Sequence, residues 1–360
     1  MHESSYIQLL RAFLVGAFVF SCGEGAPKHD DPPYVEVDPF CRSTLRTDRV
    51  LSRLDPYRYA ENLKRISGAV PVRIDGEEVT IRFRSTLLMA RGDPSARGLE
   101  WLRQELGRYF AQEQIVVHEY DIHDPDIGGP IPAQNVAVEI LGEKRPEEWV
   151  VLMAHFDEIG WCGGEPTSGV GANDNASGAA ALLEAAIAMS GERMNKSVRL
   201  LWTTGEEQHK LGSTAWVRDH PEEKLAAVIN LDMIGARKSG LTAVRVTYAD
   251  CNPVPISPEM QLGWEKLLHC FSIVTEALGI KDRTGFWPQY SCRSDHVPFA
   301  AKGYLAVHLL GDVDEEVYHT CADSVERIHF DYAFAVTEMA IAVVLALAEL
   351  EQDFVFYPLN

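Results

Sequence analysis

The chain has 360 residues, 46% of them hydrophobic, with 53 Asp and Glu against 33 Lys and Arg and a formal net charge of −20. That is enough apolar material for a substantial core in one large or two modest domains. The negative balance and the lack of a basic patch interleaved with aromatics argue against nucleic acid as a partner, because phosphate binding depends on Lys and Arg.

After Arg11 the apolar run Ala12 to Phe20 is too short to span a bilayer as a helix and suits the core of a signal peptide. Ser21-Cys22-Gly23 follows it and resembles a bacterial lipobox, in which the Cys is lipidated and becomes the new amino terminus. Phe20 is uncommon in that box, so a plain secretory signal stays open beside it. The expected organisation is a signal over 1–22, with membrane attachment through lipidated Cys22, a Pro-, Asp- and Gly-rich tether over 23–50, and one folded domain over 51–360. The expected location is the periplasm or cell surface. Cys41, Cys162, Cys251, Cys270, Cys292 and Cys321 form an even set compatible with disulfides in an oxidising compartment, though their pairing cannot be read from sequence. No C-x-x-C pair is present, which argues against a zinc knuckle or a thioredoxin-like role.

Helical spacing predicts helices over Pro56–Ile66 and Pro94–Phe110, the latter with Leu99, Leu102, Leu106 and Phe110 as packing residues. Strand-like runs follow at Ile115–Ile122 and Asn135–Leu141. Trp149–Ala154 is short and almost wholly apolar, the pattern of a buried central strand ending just before His155. Downstream, helix and strand patterns come in turn: helix Ser177–Ser190, strands Val198–Thr204 and Ala226–Asp232, helix Pro258–Leu278, strand Tyr304–Leu310 and helix Phe330–Glu349. This order predicts a three-layer α/β/α fold with a mostly parallel central sheet covered by helices on both faces.

Polar residues sit at the ends of those strands. His155 follows the first buried strand, Glu206 and Glu207 the second, Asp232 ends the third, and His319 lies beyond the last. Gly171-Ala172-Asn173-Asp174-Asn175 adds an Asp just before a helix. Open α/β sheets build their sites outside the carboxyl ends of the strands. One such residue is ordinarily a cap or a loop residue. Two His and three carboxylates delivered to one edge make an N/O set suited to zinc, and a pair of ions would need a shared carboxylate, for which Asp174 is the candidate. Adjacent Glu206 and Glu207 can divide labour, one binding metal while the other moves a proton. Asp157, two residues past His155, is placed to hold the far nitrogen of that imidazole. Cys162, in Trp161-Cys162-Gly163-Gly164, reads as a disulfide partner or buried thiol rather than a ligand.

His155-Phe156-Asp157, Gly171 to Gly178, Thr204-Gly205-Glu206-Glu207 with Leu211-Gly212-Ser213, Asn230 to Gly235, Ser294-Asp295-His296 and Tyr318-His319-Thr320 resemble, in order, the motifs of the M28 family of zinc aminopeptidases. The resemblance runs from about Asn135 to the carboxyl end. It implies two zinc ions, one on His155 and Asp232, the other on Glu207 and His319, with Asp174 bridging and Glu206 as general base and acid. It further implies peptides with a free amino terminus as substrates and a catalytic domain without the family's protease-associated insert. Tyr290, near the place where some members carry a Tyr that helps stabilise the tetrahedral intermediate, is implied at the substrate, and Asp295 either behind the metal ligands or at the substrate amine. Two rivals remain: a glutaminyl cyclase, which shares the fold but uses one zinc, and a binding protein that has lost catalysis. Asp174-Asn175-Ala176-Ser177-Gly178 fits the peptidases better than the cyclases, and an intact ligand set with Glu206 weighs against the inactive form.

Overall fold

In the computed structural model of the chain, which describes residues 41, 44–94, 96–124, 129–160, 171–237, 243–248, 258–280, 285–313 and 316–351, helix α1 (Leu45–Leu51) begins inside the stretch expected to be tether. Thr44 and Thr47 exchange capping bonds there, and Cys41 is disulfide-bonded to Cys270. The expected tether over 23–50 thus includes residues that the structure places in a helix, and one compact unit covers Pro39–Asn360. The expected signal sequence, Cys22 and Cys162 lie outside the described residues.

Helix α2 (Pro56–Ile66) starts where Asp55 caps the amides of Tyr57 and Arg58, and Pro56 occupies the first turn, where a missing N–H has no helical partner to lose. A small hairpin, β1 (Val72–Ile74) and β2 (Glu77–Val79), leads to α3 (Thr86–Ala90) and α4 (Gly98–Leu106). The last is shorter than the predicted Pro94–Phe110, but Leu99, Leu102, Leu106 and Phe110 are all buried as expected. There follow β3 (Ile115–Asp124), β4 (Gly129–Ile140), β5 (Arg145–His155), α5 (Ser177–Met189), β6 (Lys196–Thr203), α6 (Leu211–Asp219), β7 (Lys224–Leu231), β8 (Ala243–Tyr248), α7 (Pro258–Ala277), β9 (Gly285–Tyr290), α8 (His296–Ala301), β10 (Ala306–Leu310) and α9 (Phe330–Glu349).

Among the described residues, eight strands form one sheet in the order β3-β4-β6-β5-β7-β10-β8-β9. The centre, β6-β5-β7-β10, is parallel throughout; β3, β4 and the β10–β8 junction add antiparallel pairings, and β8 and β9 run parallel to each other. The fold is thus α/β/α as predicted, with a mixed sheet whose parallel part is central. Alternation along β5 explains why that strand reads as continuously apolar: Val150, Leu152 and Ala154 pack toward α5 and α9, while Val151 and Met153 meet Trp216 of α6 and Phe299 of α8. Helix α9 is apolar and long enough to cross a membrane by composition, but 83% of its most apolar window is buried, the mark of a core helix. Each large apolar side chain buried this way contributes roughly 1.5–3 kcal/mol relative to exposure.

Strands β8 and β9 and helices α6 and α8 were not anticipated from sequence. β9 lies at the sheet edge and contains Pro288, which has no N–H to donate to a ladder and so obscures a strand pattern.

Candidate metal centre

Parallel central strands bring their carboxyl ends to one edge, and there the predicted residues meet. His155 is the last residue of β5. Its Nε2 lies 3.2 Å from Asp174 Oδ1 and 3.2 Å from Asp232 Oδ1. Across Asp174, the Nε2 of His319 lies 3.3 Å from Asp174 Oδ2 and 3.1 Å from Glu207 Oε2. Two trios, His155–Asp174–Asp232 and Asp174–Glu207–His319, therefore share Asp174, with the ligand-type atoms of each trio within 4.8 Å of one another.

The loop that carries Asp174 is stitched to the end of β7. Asn173 Oδ1 accepts the amides of Gly235 and Ala236, Asn175 Nδ2 donates to the Leu231 carbonyl at 2.8 Å, and Ser177 Oγ accepts the amide of Ile234. Gly178 is required at the start of α5: a Cβ there would fall 2.5 Å from the Leu231 oxygen and 2.6 Å from Asn175 Oδ1. The motif is thus a set of side chains that fix one carboxylate against a neighbouring strand. Ser294 does the same for Asp232, donating to its Oδ2 at 2.7 Å while accepting from Asn230 Nδ2.

Two expectations need correction, and a third falls on a side chain outside what is described. The closest partner of His155 Nδ1 is the backbone carbonyl of Asp157 at 3.1 Å, while the Asp157 carboxylate stands 3.6 Å away. That carboxylate instead accepts from Thr86 Oγ1 and from the amides of Glu206 and Glu207, so it positions the Glu pair. Asp295, expected behind the metals or at the substrate amine, is fully buried and accepts the hydroxyls of Thr203 and Ser213, which rules out the substrate place. Burial pushes its carboxyl up to about 6, against the opposing charge of His155 and those two hydroxyls. It braces β6 against α6 instead of reaching the cavity. Tyr290 closes β9, paired with Tyr248 of β8; its side chain is outside what is described.

Sequence reasoning missed Asp323, whose two carboxylate oxygens accept the amides of Asn173 and Asp174. It also passed over Ser294, although this residue stands in the Ser-Asp-His motif. It missed Arg84 as well, a fully buried guanidinium that donates to the carbonyls of Phe156, Ile66 and Gly171. No spacing signal marks Asp323 or Arg84, because each reaches the loops of the site across more than seventy residues.

Charge in the cluster is concentrated. Burial favours the protonated form of Asp174, but the imidazoles of His155 and His319 outweigh it and hold the carboxyl well below its usual range. Burial opposes charge on both histidines, yet Asp232 and its neighbours raise His155 well above normal, and Asp174 and Glu207 raise His319 to about 10. Burial, then the charge of Asp174, pushes Glu207 up to about 8. Glu206 is also raised well above the carboxylate range by burial and by Asp232, Asp295 and Glu207, with His155 opposing. Anions drawn this close need cations among them. In the neutral imidazole that donates its Nδ1–H to the Asp157 carbonyl, the Nε2 lone pair of His155 faces two carboxylate oxygens, an arrangement that a cation between them makes favourable. Around Asp174 the fit is similar: His319 Nε2 and Glu207 Oε1 are buried without any hydrogen bond despite the short approaches. The residues present therefore fit divalent metal.

An open cavity of about 600 Å³ adjoins the cluster, with Asp174, Glu206 and Asp232 at one end and Arg245, Arg293 and Tyr318 among its other walls. Glu206 lines this space while Glu207 turns to His319, so the two adjacent side chains point to different places.

A three-layer α/β/α sheet with two His–carboxylate trios at its strand ends and an open cavity beside them defines the class of α/β proteins built to hold metal at a cleft. The chain belongs to peptidase family M28, whose sequence profile matches residues 135–344. It is 38% identical over 205 residues to leupeptin-inactivating enzyme 1 of Streptomyces exfoliatus, covering 50% of this chain and 41% of that enzyme. It is 30% identical over 203 residues to aminopeptidase YwaD of Bacillus subtilis strain 168, covering 52% and 40%. Each match thus spans less than half of the relative's length. The fold recurs in the LapA aminopeptidase of Legionella pneumophila, with a TM-score of 0.63, 15% identity and coverage of 92% of this chain and 81% of that one. It recurs likewise in the glutaminyl cyclase of Bacteroides thetaiotaomicron, with a TM-score of 0.61, 17% identity and coverage of 81% and 98%.

Proposed function

We propose that this chain is an exported di-zinc aminopeptidase that releases residues from the free amino end of peptides. The observation that carries the reading is the sharing of Asp174 between two trios beside a separate Glu206 in an open cavity. Zinc bound by His or carboxylate at about 2.0–2.2 Å in a tetrahedral site sets its ligand atoms about 3.3–3.5 Å apart. The 3.1–3.3 Å separations here are close to that. His155 and Asp232 would hold one ion, Glu207 and His319 the other, and Asp174 both. The names of the relatives support peptide chemistry: one is an aminopeptidase and another inactivates leupeptin.

Bound there, zinc supplies Lewis acidity toward the scissile carbonyl and lowers the pKa of water. The chain's own groups do the rest. Asp157 holds the amides of Glu206 and Glu207, which aims the Glu206 carboxylate into the cavity. Glu206 takes a proton from the attacking water and delivers it to the departing amine; an upward-shifted carboxyl suits a group that must both accept and release a proton near neutral pH. Asp232, held by Ser294, and Asp174, held by Asp323, stay fixed while this happens. Export is supported by the Cys41–Cys270 disulfide, a bond that persists in oxidising compartments. Attachment through lipidated Cys22 is part of the same proposal and rests on the lipobox resemblance alone.

The test is release of fluorophore from a panel of amino-acid 7-amido-coumarins, with and without chelator, run beside Glu206→Gln and a cyclisation assay on a peptide with amino-terminal Gln. Chelator-sensitive release that zinc restores, with kcat falling about 10²–10⁴-fold in Glu206→Gln, is the expected result. Silence on the panel with Gln cyclisation would move the assignment to the cyclase. Silence in both, with zinc bound, would favour a binding role.

A further inference from the structure

We propose that the cavity beside the metal centre recognises a carboxylate of the substrate next to the scissile bond, with Arg293 as the main selecting residue and Arg245 assisting. The preferred substrates are then peptides with an acidic residue at the cleavage point. This rests on the peptidase reading and deepens it.

The cavity floor continues from the metal-binding edge across β10 and β8. Residues of one sheet face line it because register places His308 opposite Thr247 and Leu310 opposite Arg245. Beyond them, just after β9, Ser291 and Arg293 complete the wall. Thr247 is fully buried and its hydroxyl has no hydrogen-bond partner, and the Nδ1 of buried His308 has none either. This wall therefore carries two cations and unsatisfied hydrogen-bonding groups where an apolar side-chain pocket would carry neither.

The two arginines differ in their commitments. Arg245 is half-buried, donates through Nε and Nη2 to the Gly311 carbonyl, and feels the charge of Asp312, which lines the same cavity. Burial, the larger influence, depresses it despite Asp312. Arg293 is exposed into the cavity and makes neither a hydrogen bond nor an ion pair with any described residue. In a chain with 53 acidic and 33 basic residues, a guanidinium left free beside a cavity is placed for an anion from outside. At the other end of the cavity Asp174 and Asp232 are committed to metal and Glu206 to proton transfer under the proposed function, so none of them is a standing partner for Arg293. A guanidinium meets a carboxylate through two parallel N–H bonds, a geometry that the neutral amides of Gln or Asn cannot match.

Two sources could present that carboxylate: the side chain of the amino-terminal residue, or that of the residue after it. The experiment compares kcat/KM for Glu-, Gln- and Leu-7-amido-coumarin in one arm, and for Leu-Asp-amide and Leu-Asn-amide in the other, with wild type, Arg293→Gln and Arg293→Lys. The expected result is a preference of about tenfold or more for the acidic member in one arm. It should fall toward unity in Arg293→Gln and be partly kept in Arg293→Lys, with Leu-7-amido-coumarin changed by less than about twofold. Equal turnover of acid and amide in both arms would overturn the proposal, as would a uniform loss on every substrate in Arg293→Gln. If nothing is turned over, calorimetric binding of glutamate against glutamine, and of Leu-Asp-amide against Leu-Asn-amide, decides separately. Selective binding that Arg293→Gln abolishes keeps the carboxylate site while the peptidase reading falls. Equal binding of acid and amide discards the site.

Discussion

Asp323 holds Asp174 in place: its two carboxylate oxygens accept the backbone amides of Asn173 and Asp174 at 2.8 and 2.9 Å, and its own carbonyl accepts the amide of Ala172. The residue that would bridge both metal ions is thus clamped by a second carboxylate that touches neither trio's partners. Asp323→Asn keeps the shape but offers one acceptor oxygen where two are used, turning the other position into a donor facing an N–H. Outer-shell partners of this kind are worth 10–100-fold in metal affinity. We expect Asp323→Asn to fold with unchanged far-ultraviolet circular dichroism and to bind zinc about tenfold or more weakly in a competition titration with a chromophoric chelator. Wild-type affinity in the variant would remove Asp323 from this role.

Arg84 ties together the backbone around the site. Its Nε donates to the Phe156 carbonyl at 2.9 Å and its Nη2 to that of Gly171 at 2.8 Å, one on each side of the segment between β5 and the Asp174 loop. Burial lowers its affinity for the proton, with Glu158, Asp323, Asp174 and Asp157 opposing in part. Glu158 in turn is raised to about 7 by burial, with Arg84 opposing. Replacing Arg84 by Met would fill most of the volume but leave three buried carbonyls unpaired and Glu158 without its counter-charge. A loss of about 3–5 kcal/mol is expected, read as a lower urea midpoint at unchanged slope. A change under about 1 kcal/mol would mean that water replaces the guanidinium at no cost.

The division between what could be read and what could not follows from the range of each interaction. His155, Asp174, Glu207, Asp232 and His319 sit at strand or loop ends, where a short polar break after an apolar run is visible locally. Central strands such as β5 and β7 were equally visible, because burial on both faces makes them continuously apolar. Asp157 shows the limit: its proximity to His155 in sequence suggested a carboxylate–imidazole pair, but the chain turns so that its carbonyl meets the imidazole and its carboxylate meets Glu206 and Glu207. Asp295 misled in the same way, because a motif places a residue near a site without stating which way its side chain turns. The antiparallel junction of β8 with β10 was hidden for another reason: Arg245 and Thr247 break the apolar pattern, and they do so because their face of the sheet lines the cavity.

The Cys41–Cys270 bond joins the segment before α1 to α7 across 229 residues. α1 packs on α9 and α5, and its exposed Leu45 shows how little of it is buried beyond Val50. A crosslink closing so long a loop restricts the unfolded chain, typically by 2–4 kcal/mol. We expect the Cys41→Ser, Cys270→Ser double variant to lose stability of that order and to show faster hydrogen exchange over residues 45–51, with zinc affinity unchanged. Unaltered exchange in α1 would show that packing alone holds it.

His296 sets a dependence on acid that can be isolated by substitution. Its ring is fully buried 5.2 Å from that of His308, and its Nε2 donates to the Ser291 carbonyl at 2.9 Å. Burial first, then repulsion from His308 and Lys210, depresses its pKa to about 3, with the Ser291 and Ser294 backbone contacts working the other way. In the unfolded chain the same group titrates near 6.5. Above that value neither state carries the proton, and His296 contributes no pH dependence. Between about 6.5 and about 3 the unfolded chain binds a proton that the native state refuses, so stability falls as pH falls, by at most about 1.4 kcal/mol per pH unit from this group. Below about 3 both states are protonated and the loss stops growing. His308, also lowered by burial, acts in the same direction. His296→Gln preserves a donor to the Ser291 carbonyl and never charges. Its urea midpoint should therefore lie below that of wild type at pH 7.5 by more than at pH 5, with both proteins measured in chelator so that metal release does not enter. A gap of constant size across that range would mean that His296 takes up its proton as readily in the native protein as in the unfolded chain.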